Sequence, residues 1–347
     1  KGHGIMTYQR ILVTQHGGSD VLKLVEEELP HPKPEQVRVK VLATGVAFTD
    51  ILIREGLYPG IPKVPFSPGY EIVGIVDEVG SEATSVQVGQ RVAALTIVGG
   101  YSEFVCVEAE DVIPIPGEVD VAEAVSLVLH YVTAYQLLHR IAQVKANDSI
   151  LIHGAAGGVG TALLQLGELS QLQMYGTASQ GKHDLVKRLG GIPIDYKTED
   201  FVQRIRELTN GQGVDVVFDG IGSQHLIRSY QTLKRGGLLV NYGFSCALQG
   251  KYGRVLKVGL SLALLNGFKL IPDGRQTSFY SIASLKQAHP EWFSQDLTTL
   301  MDLLIHSKVK PIIADRLPLT QAKEAHQRLE QSNVQGQLVL LCASEST

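Results

Sequence analysis

The chain has 347 residues, of which 44% are hydrophobic and 19% charged, a composition that excludes a disordered protein. Its formal net charge is −4, and no block of Lys and Arg offers a surface for nucleic acid. The three cysteines lie far apart, at Cys106, Cys246 and Cys342, which excludes a disulfide framework and a cysteine-rich zinc lobe. The length predicts two domains.

The sequence shows no targeting or membrane-spanning pattern. Residues 1–5, KGHGI, precede Met6 and are interpreted as a cloning remnant, and no signal peptide follows them. The apolar stretch VGLSLALLNGF at 258–268 is too short to span a bilayer. We therefore expect a cytoplasmic protein without a membrane span.

Residues 6–115 predict a sheet that closes like a barrel. RILVTQ, QVRVKVLATGVA, EIVGIVDEVG, QRVAAL and SEFVCV are short runs rich in Val and Ile, and Gly, Pro or acidic turns separate them. Short strands at such density are typical of barrel-like folds.

The pattern changes after Val119. VDVAEAVSLVLHYVTAYQLLHRIA has the apolar stripe of a helix and contains no Pro or Gly. The strands SILIH, QMYGTAS, IPIDY, VDVVFDG and LLVNYG then alternate with helices, which predicts βαβ units and a parallel sheet with helices on both faces. A further helix, the strand IIADRLPL, a short amphipathic helix and the strand GQLVLLC complete the chain.

A glycine-rich loop, HGAAGGVG, leads from the strand SILIH directly into a helix. Gly157 and Gly158 allow the backbone to approach a pyrophosphate, and the helix N-terminus supplies free N–H groups. Ala155 replaces the first glycine of G-x-G-x-x-G, which requires only that this position avoid a positive φ. A glycine-rich turn without a ligand is the alternative for the loop alone. The predicted cofactor contacts here are Ala156, Gly157, Gly158, Val159 and Gly160.

The end of the next strand predicts which dinucleotide binds. A site that prefers NAD usually has Asp or Glu there for the ribose 2′-hydroxyl. The stretch TASQGKHD instead offers Ser179 and Lys182, with no carboxylate before Asp184. Tyr196, at the end of the third strand, can add a hydroxyl. These residues favour NADPH because a 2′-phosphate is bound by a cation and repelled by an acid.

Several motifs stand in order along about residues 8–341: GVAFTDILIREGLYPG, PFSPGYEIVGIVDEVG, VGQRVAAL, GGYSEF, HGAAGGVG, GTASQGK, VDVVFDGIG and GGLLVNYG. Together they resemble the medium-chain dehydrogenase/reductase superfamily, in its zinc-independent quinone oxidoreductase (zeta-crystallin-like) branch. The resemblance implies a doubly wound Rossmann domain, 126–271, inserted into a GroES-like β-barrel catalytic domain, 6–125 and 272–347. It also implies a homodimer joined through a strand near GFKLIPD.

The resemblance further indicates that the metal of related alcohol dehydrogenases is missing here. Where zinc-dependent members hold Cys and His ligands, this chain has Ala47 and Tyr70. His130, near the place of a third ligand, is interpreted as a helix residue. Zinc stabilises the alkoxide formed from simple alcohols and ketones. Without it, hydride transfer favours quinones and α,β-unsaturated carbonyls, which delocalise the incoming charge themselves.

The same resemblance identifies candidate catalytic residues. Phe48, Asp50 and Tyr58 are expected to border the nicotinamide and the substrate, and Tyr58 and Tyr70 are the candidates to donate a hydrogen bond or a proton. An aromatic packed between domains is the alternative for each tyrosine. Related quinone reductases often have Asn where Ala47 stands, so one polar contact is absent. Further cofactor contacts are expected from Thr133 and from the strand ends Gly220, Gly222, Tyr242, Gly243 and Phe244.

The sequence thus predicts an NADPH-dependent, zinc-independent oxidoreductase that transfers hydride to quinones or other conjugated carbonyl compounds. Two alternatives stay open: a 2-alkenal or enoyl reductase with a non-quinone substrate, and a non-catalytic NADPH-binding protein. The expected partners are a small electrophile and a second copy of the chain.

Overall fold

A computed structural model describes residues 4–342 of the chain. The strands are β1 Thr7–Leu12, β2 Lys23–Glu28, β3 Gln36–Val46, β4 Glu71–Val79, β5 Arg91–Leu95, β6 Phe104–Glu108, β7 Ile113–Pro114, β8 Ser149–Ile152, β9 Gln173–Thr177, β10 Ile192–Ile194, β11 Val214–Asp219, β12 Leu233–Asn241, β13 Gln276–Phe279, β14 Ile313–Pro318 and β15 Gln337–Leu341. The α-helices are α1 Phe48–Arg54, α2 Val121–Ser126, α3 Val132–Tyr135, α4 Gly158–Leu169, α5 His183–Arg188, α6 Phe201–Leu208, α7 His225–Gln231, α8 Arg254–Phe268, α9 Ile282–Ala288, α10 Pro290–Ile305 and α11 Ala322–Glu330.

The described chain divides into two compact units, with boundaries at Leu129/His130 and Asp296/Leu297. The first unit combines both ends of the chain, and the second is the stretch between them. The sequence places the corresponding boundaries at 125/126 and 271/272.

The first unit is built on the long strand β3. Its alternate residues Val37, Val39 and Val41 point into one core, as the period of a strand requires. The sheet order is β14-β15-β3-β4-β5-β7, and β6 also pairs with β3. Because β15 runs antiparallel to β3, with Leu338 opposite Val46, the C-terminal strands complete the sheet that the N-terminal strands begin. Strands β1 and β2 form a separate hairpin.

The second unit is a parallel sheet of order β10-β9-β8-β11-β12-β13, and all of its strand pairs are parallel. The order reverses at β8, and ligands bind at such switch points in doubly wound folds. This unit therefore has the predicted doubly wound parallel sheet of a Rossmann domain.

The resemblance implies a dimer-forming strand near residues 267–273. These residues themselves end helix α8 and turn, and Phe268 stacks on Tyr230 with ring centroids 4.4 Å apart. The edge strand is β13, which continues the sheet beyond residue 271 by pairing with β12.

A continuous helix, Val121–Ile141, contains α2 and α3 with π-helical turns at Leu127–Tyr131 and Gln136–Ile141. Among the described residues it alone is long and apolar enough to cross a membrane by length and composition. However, 89% of its most apolar window is buried inside the protein, as in a core helix.

Candidate active site

The glycine-rich loop joins β8 to α4 in the geometry that a pyrophosphate site needs. Gly154 has the left-handed backbone, with φ of +63°, and Ala155 does not share it. The Ala155 side chain is fully buried and packs against Gly176 of β9. An alanine at this position therefore fills core space and leaves the loop conformation unchanged.

Two glycines of the loop leave no room for a side chain. A Cβ on Gly158 would overlap the His130 ring, and one on Gly160 would overlap the carbonyl oxygen of Gly154. Helix α4 begins at Gly158, so the N–H groups of its first turn have no partner within the helix. The loop thus forms a cradle lined by backbone donors, which suits a pyrophosphate.

A buried hydrogen-bond network supports this loop through His153, the residue before Gly154. His153 Nδ1 lies 3.0 Å from the Thr177 hydroxyl, and His153 Nε2 lies 3.0 Å from the Ser229 hydroxyl. Ser229 donates to Asp219 Oδ2 at 2.6 Å. The Ser229 oxygen must then accept from Nε2–H, so Nδ1 accepts from Thr177. Burial lowers the pKa of His153 to about 3, which keeps this imidazole neutral.

Asp219 ends β11 and connects the network to the next loop. Its Oδ1 accepts from the N–H groups of Ile221 and Gly222, at 2.8 and 2.9 Å, and its Oδ2 lies 2.7 Å from His225 Nδ1. Burial alone would raise the pKa of Asp219, but the hydrogen bond and charge of His225 hold it well below its usual range. His153, Asp219 and His225 bring ligand-type atoms within 4.8 Å of one another. The Ser229 hydroxyl already bridges this cluster, so we interpret it as a hydrogen-bond network.

The predicted 2′-phosphate end lies beyond β9 and β10. Ser179 and Lys182 are partly exposed, and Tyr196 is 51% exposed. Burial, and then the charge of Lys197, lower the pKa of Lys182. Sequence reasoning missed Lys197. Its signal was its place directly after Tyr196, at the end of the strand that pairs with β9.

The remaining predicted cofactor contacts lie in the second unit. At the ends of β11 and β12, a Cβ on Gly243 would come 2.9 Å from the Gly220 oxygen, so these two strand ends approach closely. Gly222 has a φ of +83°, and Phe244 is buried and stacks on Phe279. Tyr242 and Thr133 complete the predicted set, with Tyr242 packed on Gly220 and Thr133 buried in α3. Their roles toward a cofactor stay predictions.

The predicted catalytic residues lie in the first unit and differ in exposure. Phe48 opens α1 and is 41% exposed, and Tyr58 is partly exposed in the bend after this helix. Asp50 and Tyr70 are buried. The Asp50 carboxylate reaches back to accept from the Ala47 N–H at 2.9 Å, and so caps the N-terminus of α1. In this unit Asp50 thus contacts the backbone and not solvent.

Glu71 is a second buried carboxyl group, and sequence reasoning missed it. Its oxygens accept from the Leu129 N–H at 2.7 Å and from the Gln337 amide at 2.6 Å. Burial raises the pKa of Glu71 to about 8, and the nearby Asp50 adds to the effect. Its signal was its position next to Tyr70 at the start of β4.

Two protein-family models and a curated relative match this chain. A family model described as alcohol dehydrogenase GroES-like domain matches residues 33–117, and one described as zinc-binding dehydrogenase matches residues 189–340. Quinone oxidoreductase 1 of Escherichia coli (strain K12) is 32% identical over 340 residues, covering 96% of this chain and 99% of that protein. The chain belongs to the medium-chain dehydrogenase/reductase superfamily.

Other relatives of this reductase carry different names. A synaptic vesicle membrane protein VAT-1 homolog of Danio rerio is 34% identical over 341 residues, covering 96% of this chain and 70% of that protein. The crystal structure of Escherichia coli quinone oxidoreductase complexed with NADPH matches with a TM-score of 0.86 and 30% identity, covering 96% of this chain and all of that chain. CurK enoyl reductase matches with a TM-score of 0.81 and 25% identity, covering 96% and 99%. The quinone oxidoreductase-like assignment is therefore confirmed.

Zinc, which the description of one matching family implies, does not fit this chain at the two ligand positions that the resemblance identifies. Ala47 has no donor atom, and the neutral phenol of Tyr70 is a poor substitute for imidazole. His130 packs against Gly158 in the second unit. The donor set at these positions is thus unsuited to a catalytic zinc ion.

Proposed function

We propose that this reductase transfers hydride from NADPH to quinones or other conjugated carbonyl compounds without a metal. The observation that carries the proposal is the replacement of a zinc ligand by Ala47 in a chain whose dinucleotide loop is intact. Such a protein can bind a hydride donor, yet it lacks the Lewis acid that a simple ketone needs. Its acceptor must therefore delocalise the incoming charge.

The second unit supplies the groups for NADPH. The glycine cradle at 154–160 accommodates a pyrophosphate, and Lys182, with Lys197 near it, provides positive charge for a 2′-phosphate. NADPH, when bound, supplies the hydride. Thr133 and the strand ends at 220–222 and 242–244 are the candidates to orient the nicotinamide.

The first unit supplies the candidates for the acceptor. Phe48 and Tyr58 expose part of their rings, and Tyr58 offers a phenol that can donate to a developing enolate or quinolate. Asp50 has a buried carboxylate that fixes the first turn of α1. We assign it to orientation rather than to contact with the acceptor.

A 2-alkenal or enoyl substrate is the second candidate, and the structural likeness to CurK enoyl reductase favours it. Steady-state assays with NADPH and either 9,10-phenanthrenequinone or a 2-alkenal separate the two. We expect turnover of the quinone. Turnover of the alkenal alone would assign the second function, and tight NADPH binding without turnover of either acceptor would contradict both.

We also infer that the chain forms a homodimer through the edge strand β13. In the described part of the chain β13 pairs only with β12, so its other edge has free backbone groups. Phe279, on this strand, is 42% exposed. Sedimentation equilibrium should give twice the mass of one chain, and a monomer at micromolar concentration would contradict the inference.

A further inference from the structure

Four polar side chains from distant parts of the sequence meet in the core of the first unit. Asp50 and Arg54 come from α1, Tyr101 precedes β6, and His326 belongs to α11. Each of them is fully buried. Burying two charged groups and two polar rings is costly unless every member is paired, so the pattern of their hydrogen bonds is informative.

The bonds connect the four groups in one line. Arg54 Nη1 lies 2.9 Å from His326 Nδ1, and His326 Nε2 lies 2.9 Å from the Tyr101 oxygen. The Tyr101 hydroxyl lies 3.2 Å from Asp50 Oδ2. Asp50 Oδ2 also accepts from the Ala47 N–H, the residue before the first turn of α1.

The chemistry of the first group fixes the direction of every bond. A guanidinium can only donate, so Nδ1 of His326 must be the acceptor and Nε2 must carry the proton. Nε2–H then donates to the Tyr101 oxygen, and the Tyr101 hydroxyl donates its own proton to Asp50. The line therefore ends with two donors on one carboxylate oxygen, which favours the ionised form of Asp50.

Charges around the line are consistent with this direction. Arg54 also pairs with Glu55 at 2.8 Å and with Glu330 at 2.6 Å, so its guanidinium donates to two carboxylates as well as to His326. Burial, and then the Arg54 charge, lower the pKa of His326 to about 3, so the imidazole stays neutral. Burial and the neighbouring carboxyl groups raise the pKa of Tyr101 well above its usual value, so the phenol keeps its proton.

We propose that Tyr101 and His326 are positioning residues for the reduction, because the line Arg54–His326–Tyr101 donates to Asp50, favours its charged form as an acceptor for the Ala47 N–H, and so holds Ala47 and Phe48 in place. This role rests on the proposed function, in which the exposed Phe48 borders the acceptor. The role involves α11, whose His326 contacts Arg54 of α1 although the two residues are 272 positions apart in the sequence.

The opposing effects on the pKa of Asp50 make the proposal measurable. Burial raises the pKa of Asp50 to about 7, whereas donation from Ala47, Tyr101 and the backbone of Gly69 and Tyr70 opposes the rise. Glu71 is the other carboxyl group that interacts with it. Removing the Tyr101 hydroxyl removes one of the opposing donors, so Asp50 should bind its proton at a higher pH.

The test is the pH profile of kcat/KM for the acceptor in Tyr101→Phe and His326→Gln. Tyr8→Phe is the matched control, since Tyr8 is a buried tyrosine of the same unit outside the line. We expect the acidic limb of the Tyr101→Phe profile to move up by about one pH unit, the effect of one hydrogen bond to a carboxylate. KM for NADPH should stay within about two-fold of wild type, because this line lies outside the unit that holds the cofactor loop.

Variants that melt like wild type and keep its pH profile would overturn the proposal. Should a variant fail to fold, ¹⁵N NMR of wild type with labelled histidine decides instead: His326 must show a protonated Nε2 and a bare Nδ1, and the opposite tautomer would refute the line. This measurement needs no turnover. A wild type inactive on both acceptors would therefore contradict the proposed function while the tautomer still tests the line.

Discussion

At the scale of single residues, we expect the lysines beyond β9 and β10 to favour NADPH over NADH. Replacing Lys182 by Ala should raise KM for NADPH about ten-fold, since a charge-assisted contact to a phosphate is worth roughly 1.5 kcal/mol or more. KM for NADH should change little because NADH has no 2′-phosphate. Steady-state kinetics with both cofactors measures the difference.

The matched control is Lys187→Ala, an exposed lysine on the following helix α5. It should leave both KM values unchanged. An equal rise for NADPH and NADH in Lys182→Ala would contradict the assignment of this residue to the 2′-phosphate.

Residue patterns in the sequence offer candidates for the 2′-phosphate end of the site but none for the line at Asp50. The acid-free stretch after β9 predicted Lys182 because its residues are adjacent in sequence. The line from Arg54 to Asp50 could not be predicted, since its contact partners Asp50 and Tyr101 are 51 residues apart and Tyr101 and His326 are 225 apart. A histidine in an amphipathic helix carries no local sign of the arginine that fixes its tautomer.

At the scale of elements, the start of helix α4 depends on a glycine facing His130. The substitution Gly158→Ala should destabilise the protein by about 1–3 kcal/mol, the usual cost of overpacking, and weaken NADPH binding by displacing the cradle. Denaturant unfolding and a fluorescence titration with NADPH measure the two effects. Adding His130→Ala should recover part of the loss, because it removes the ring that the new methyl group meets.

Gly259→Ala is the control for this substitution. Gly259 lies within α8, and a Cβ there would meet no atom within 4 Å, so alanine should stabilise the helix by about 0.5–1 kcal/mol. If Gly158→Ala were as stable as Gly259→Ala, the packing of α4 against His130 would be refuted.

The sequence patterns of single elements predicted the strands and helices of both units. The apolar periods of 2 residues in a strand and 3.6 in a helix are local features of the sequence. They did not fix the edge of the parallel sheet, for which the resemblance implies only a strand near residues 267–273. Phe268 there stacks on Tyr230 of α7, and the edge strand begins at Gln276. Pairing across the sheet, which a single sequence does not show, decides where that strand begins.

At the scale of the whole molecule, buried titratable groups make stability depend on pH in two opposite ways. Burial raises the pKa of Asp50 from 3.8 to about 7 and that of Glu71 from 4.5 to about 8, so the folded protein binds protons that the unfolded chain has lost. Burial lowers the pKa of His153 and His326 from 6.5 to about 3, so there the unfolded chain binds the extra protons. The carboxyl groups thus favour folding at low pH, and the histidines favour it at high pH.

These opposing groups predict a plateau of the free energy of unfolding between about pH 4.5 and 6.5. In this range the folded protein alone holds protons on the two carboxyl groups, the unfolded chain alone holds protons on the two histidines, and the two effects cancel. Below this range both histidines destabilise the fold, and Asp219, whose folded pKa is lowered, adds to the loss. Above it the unfolded chain loses its histidine protons too, while the folded protein still holds those of Asp50 and Glu71. Stability then falls by about 1.4 kcal/mol per pH unit for each proton held, until these groups ionise near pH 7 and 8. Urea unfolding from pH 4 to 9 measures the curve. Glu71→Gln should reduce the alkaline fall, whereas the exposed Glu28→Gln should not, and a stability that rises from pH 6.5 to 8 would contradict the balance.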